Sequence, residues 1–173
     1  HADSYTEQQR TTLDYNRTAQ PNDPRPLVLR QIDENDLAAC ADYAIEGMRA
    51  DRYPLIVSRA KVEGWIRAFV GPASPHFQLA AFENTRLVGM IAGFVSEMPF
   101  FERFEAHVVV CRATLPGAGR MLIRRLAEWA RSNILIRRVI FPLEEQCDPR
   151  QRTLLQHFGF THEQSNMIYY KGA

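Results

Sequence analysis

The 173-residue chain predicts an α/β fold, an α+β mixed sheet with its elements in the order β-α-α-β-β-β-α-β-α-β. Three observations carry that prediction. The β-branched run Val108-Val109-Val110 breaks at a glycine corner, and an amphipathic helical pattern starts at once. Two short apolar stretches, FQLAAFE and LVGMIAGFV, flank Asn84-Thr85-Arg86 and read as a β-hairpin. Helical periodicity occurs both before and after these strands, as a layered α and β domain requires.

Residues 1–26 are polar, with prolines at Pro21, Pro24 and Pro26, and only Tyr5, Leu13 and Tyr15 could anchor them. They predict a flexible N-terminal extension, with a short helix around Glu7 to Asn16. An arm packed on a second subunit of a homodimer is the alternative. Residues 27–173 form the folded domain. LVLRQI, from Leu27, starts a first strand, after which Asp33 or Asn35 caps a helix with Leu37, Cys40, Ala41, Ala44 and Met48 on one face. Ser58 caps a second helix, with Val62, Trp65, Ile66 and Phe69 inward. Gly71 to Pro75 breaks the chain before the hairpin, and Gly89 and Gly93 in its second strand predict a bulge or a close backbone approach.

The aromatic loop EMPFFER, Glu97 to Arg103, leads into a strand from about Phe104 to Cys111. The helix after the corner turns Met121, Leu122, Leu126, Trp129 and Ala130 inward. RVIF, Arg138 to Phe141, is the next strand. A short helix from about Asp148 to His157 stops at Gly159, and a strand through Met167 to Tyr170 closes the chain.

A domain of this length buries a normal core without staples. A hydrophobic content of 46%, with 24% charged residues, is that of an ordinary globular protein. The net charge of +1 gives no global case for nucleic acid, although Arg120, Arg124, Arg125, Arg131, Arg137 and Arg138 cluster locally. Cys40, Cys111 and Cys147 fit neither a disulfide framework nor a metal site, so a reducing, cytoplasmic setting is expected. No apolar run is long enough to span a membrane.

The corner Pro116-Gly117-Ala118-Gly119 carries the chemistry. Its glycines permit a tight turn with bare amides, and the helix behind it starts with unpaired N–H groups and a positive dipole end. Strand, corner and helix start together form a phosphate cradle. The corner lacks the full dinucleotide fingerprint, and no Gly-Lys-Ser/Thr follows it.

From about Leu27 to Tyr170 the sequence resembles the GNAT superfamily of N-acetyltransferases. The family motif Gln/Arg-x-x-Gly-x-Gly/Ala corresponds to Thr114-Leu115-Pro116-Gly117-Ala118-Gly119, and a later Gly-Phe corresponds to Gly159-Phe160. The resemblance implies acetyl-coenzyme A as co-substrate, with Gly117, Ala118, Gly119, Arg120 and Met121 around its pyrophosphate. Arg124 or Arg125 would face the ribose phosphate. It further implies a splayed central sheet, with backbone of Val109 and Cys111 along the pantetheine arm. Thr114 stands where the family carries Gln or Arg, and Pro116 removes one amide. A Tyr common four residues before the Gly is Leu155 here, and an Asn common seven residues earlier is Asp148, counted with the cofactor-binding residues.

Acetyl transfer to an amine needs a base. Period-two alternation puts Glu105 and His107 on one strand face. Glu105, nine residues before Thr114, is where members often carry a base acting through water; it is the first candidate and His107 the second. Phe100 and Phe101 could line an acceptor pocket, and Glu97, Glu102 and Glu105 could attract a cationic amine. The expected function is direct acetyl transfer from acetyl-coenzyme A to a primary amine of a small molecule or protein. The alternative, favoured by Thr114, Pro116 and Leu155, is a weak or inactive acyl-coenzyme A-binding or interaction module.

Overall fold

The computed structural model describes residues 26–50, 56–71, 74–115, 117–143 and 149–161. Its five strands form one sheet in sequence order: β1 (Leu27–Arg30), β2 (Phe77–Glu83), β3 (Arg86–Glu97), β4 (Phe104–Ala113) and β5 (Ile136–Ile140). The first four pair antiparallel, and β4 with β5 is parallel. Four helices accompany them: α1 (Leu37–Ala50), α2 (Arg59–Arg67), α3 (Ala118–Ser132) and α4 (Pro149–His157). The mixed architecture and element order are those predicted. The N-terminal extension, Asp148 and the predicted last strand lie outside the described residues.

β1 is shorter than the apolar pattern suggests, for a local reason. The amide and carbonyl of Ile32 are satisfied by a side chain: Ile32 N donates to Gln78 Oε1 at 2.6 Å, and Gln78 Nε2 donates to Ile32 O at 3.2 Å. Strand pairing is therefore not needed there. Asp33 then forms a capping box, accepting from Asn35 N at 2.8 Å while its own N–H donates to Asp36 Oδ2 at 2.9 Å. One 3-10 turn separates that cap from α1.

Alternation along the strands divides the core in two. One face packs Leu37, Cys40, Ala41 and Ala44 of α1 and Ile66 of α2 against Ala80, Phe82 and Met90. The other packs Leu122 and Leu126 of α3 against Ala81, Val88, Ile91 and Val108. Trp65, predicted to face inward, lies 36% exposed at the rim of α2, where its ring meets Phe69 edge-on. At the end of α4, Gly159 has φ +98°, and Phe160 N donates back to Leu155 O at 3.1 Å. This is the glycine stop expected from the sequence.

Candidate functional site

β4 changes partners in mid-course. Its pairing with β5 runs only from Phe104–Ile136 to His107–Ile140. Beyond that, the described residues give residues 108–113 no strand partner on the β5 side. On the other side, the register with β3 jumps from Gly93–Val108 to Ala92–Val110, so Val109 is the extra residue of a β-bulge and is 39% exposed. Gly93 makes the bulge sterically feasible, because a Cβ there would sit 2.8 Å from His107 O and 3.3 Å from Val108 Cα. Unpaired strand edges offer N–H and C=O groups to an extended ligand.

At the far end of β4, Thr114 ties the corner to β3: its amide donates to Val88 O at 2.9 Å and its hydroxyl to the same oxygen at 3.2 Å. The hydroxyl's work is thus internal. Gly117 is the N-cap of α3 with φ +88°, and a Cβ on it would meet nothing within 4 Å. Its glycine serves the backbone conformation rather than close packing. Ala118 N donates to Leu115 O at 3.3 Å and Met121 N to Gly117 O at 3.0 Å. No side chain caps the helix start, so Gly119 and Arg120 supply the amides best placed for an anion. Among the described residues Arg120 has no carboxylate partner, whereas Arg124 and Arg125 pair with Glu128 at 2.8 and 3.3 Å. These groups fit a pyrophosphate: bare amides, a dipole end and an uncommitted guanidinium.

Glu105 and His107 meet where β4 and β5 separate. Glu105 is 7% exposed, and its Oε1 lies 2.7 Å from His107 Nε2. Arg138, opposite Glu105 on β5, donates from Nε to Oε2 at 2.6 Å. The His107 hydrogen bond, more than Arg138, holds the Glu105 carboxyl below its usual range against the opposing effect of burial. The His107 ring stacks on Phe94 with centroids 4.8 Å apart and planes 4° from parallel. A carboxylate so engaged is a poor proton acceptor and a good orienting group. Arg138 was not legible as a partner, because its placement depends on the β4–β5 register.

Cys111 packs beside the α3-face core, and burial pushes its thiol up to about 12. It is therefore a poor thiolate nucleophile. Leu155, at the position of the family's Tyr, is 3% exposed within the core. Glu97 to Glu102 enclose an open cleft of about 450 Å³ at the start of β4, with Phe100 and Phe101 90% and 63% exposed.

No family model matches the sequence, and comparison with curated proteins finds no significant match. Solved structures do match. A possible acetyltransferase from Clostridium difficile 630 superposes with TM-score 0.67 at 9% identity, covering 85% of this chain and 98% of that one. An aminoglycoside acetyltransferase from an uncultured soil metagenomic sample, in complex with sisomicin, gives 0.62 at 16% identity, covering 84% and 95%. A Trypanosoma brucei acetyltransferase gives 0.61 at 19% identity, covering 84% and 99%. These likenesses show the fold: the chain, with five sheet strands and four helices among the described residues, folds as these acetyltransferases do.

Proposed function

We propose that this chain is an N-acetyltransferase that moves an acetyl group from acetyl-coenzyme A directly to a primary amine. The observation that carries the reading is the parting of β4 from β5, with the Glu105–His107 pair at its root and the uncapped start of α3 at its end. The edge of Val109 and Cys111, without a strand partner on the β5 side among the described residues, would hold the pantetheine arm, and Gly119, Arg120 and the turn from Gly117 the pyrophosphate. Ala118 and Met121 shape that turn through their own backbone bonds. Asp148 belongs to the same proposal from sequence resemblance alone.

His107 is the better base and Glu105 its positioning residue. A carboxylate on Nε2 favours the proton on that nitrogen, leaving the lone pair on Nδ1. As the amine nitrogen bonds to the thioester carbonyl, its proton passes to His107 and the C–S bond breaks. The released thiolate takes a proton from water, since Leu155 has none to give. Direct transfer needs no enzyme thiol, in keeping with a half-buried Cys111 whose thiol is kept protonated by desolvation.

Thiol release measured over an amine panel, from hexylamine to an aminoglycoside, tests the reading alongside thermal shift with acetyl-coenzyme A. His107→Gln is expected to lower kcat by about 10²–10⁴-fold with the KM for acetyl-coenzyme A little changed. Stabilisation by acetyl-coenzyme A without release for any amine would favour the second reading, a binding module. The buried Leu155 is what recommends that alternative. Absence of both stabilisation and release would defeat the two together.

A further inference from the structure

On the sheet face that carries Glu105 and His107, a second cleft of about 240 Å³ lies between α1 and α2. α1 contributes Ala44 and Met48, α2 contributes Val62, Trp65 and Ile66, and Val110 of β4 forms the floor. Val110 packs with the α1–α2 core, whereas Val108 and Cys111 pack with α3. The Val109 bulge lies between them. Val110 lies three positions after His107, so their Cα atoms are at most about 10 Å apart along the strand. A body seated in the cleft can therefore present a short amine arm to His107.

The walls specify the body's chemistry. They are aliphatic and aromatic, and among the described residues the one charged lining residue is Lys61. Among the described residues no carboxylate pairs with Lys61. The nearby acids are committed elsewhere: Asp42 and Glu63 to Arg59, and Glu46 to Arg112. Among the described residues nothing in the cleft would compensate a second positive charge, and Lys61 would repel one. At about 30 Å³ for each water-sized group, the volume suits a phenylalkyl or hexyl body.

We infer that the acceptor is a monoamine with an apolar body, seated between α1 and α2, and not a polycation. This rests on the acetyltransferase reading and narrows it to a substrate class. The Glu97–Glu102 cleft, with its two acids, is the place a polycation would otherwise favour.

The test uses the full chain with acetyl-coenzyme A, comparing butylamine, hexylamine, phenethylamine and spermidine by thiol release. Among the monoamines, kcat/KM should rise about three- to fourfold per added methylene while the body fits, the factor expected for moving one methylene out of water. Spermidine should be at least tenfold poorer than hexylamine. Val62→Phe narrows the cleft and should raise the KM for phenethylamine at least tenfold. Lys61→Glu supplies a gain that misfolding cannot imitate: 1,8-diaminooctane should improve relative to hexylamine. Preference for spermidine with no response to chain length, or no gain with Lys61→Glu, would overturn the inference and leave the acetyltransferase reading standing. Failure of acetyl-coenzyme A to stabilise the chain, with no release for any amine, would remove that reading and the inference with it.

Discussion

Glu105 is the residue on which local physics and proposed chemistry converge. A buried carboxylate is costly unless both oxygens are satisfied, and here one faces His107 and the other Arg138. These partners lower its pKa, so its ion pairing stabilises the fold fully above the unfolded value of about 4.3 and fades as pH falls through the lower folded value. Glu105→Gln removes the charge but keeps the shape. Wild type should therefore have the higher Tm near pH 7, and the gap should close on acidification below about pH 4.3. A gap constant down to pH 2 would show that the pair contributes nothing through its charge. The sequence exposed half of this cluster. Alternation along one strand put Glu105 beside His107, but Arg138 arrives from a strand 33 residues away, and no local pattern encodes that register.

At the scale of elements, β4 is shaped as much by its neighbour as by its own sequence. Val108 to Val110 would run straight in any sheet; the bulge exists because Gly93 lets the β4 backbone approach. Gly93→Ala would place a Cβ against a carbonyl oxygen and a Cα, neither of which is a flexible side-chain end. A cost of about 1–3 kcal/mol is expected, with a parallel loss of acetyl-coenzyme A binding if the strand straightens. Gly64, inside α2 with nothing within 4 Å of its Cβ position, gives the opposite sign. Gly64→Ala should stabilise by about 0.5–1 kcal/mol through helix propensity. Urea midpoints of the two variants decide the matter, and equal shifts would remove the steric account. The glycines were visible in the sequence as irregularities of a strand, and beside Gly89 that strand does bulge: the β2–β3 register skips Val88. The second bulge, on β4 opposite Gly93, was not visible, since it depends on the chain packed alongside.

At the scale of the molecule, the helices and the hairpin were readable because periods of 3.6 and 2 are local properties. The α1–α2 cleft was not, because it is a gap between packed surfaces: the same pattern that made Trp65 an apparent core residue leaves it on a rim. The sheet separates two cores, each with its own helices, and this raises the question of whether they melt as one. Ile66 is 3% exposed on the α1–α2 side and Leu126 is fully buried on the α3 side. Neither core is closed without the shared strands, because Ala80 and Met90 face one side while Ala81 and Ile91 face the other. Loss of packing on either face must therefore weaken the common sheet, and unfolding should be a single cooperative transition. Ile66→Ala and Leu126→Ala should each cost about 2–5 kcal/mol. Lying on opposite faces in separate core clusters, they should add to within about 0.5 kcal/mol in the double variant. Urea denaturation followed by tryptophan fluorescence and by far-UV circular dichroism checks both expectations. Two separated transitions, or a double variant no worse than the weaker single one, would mean that the faces unfold independently and that the sheet does not couple the acceptor cleft to the glycine corner.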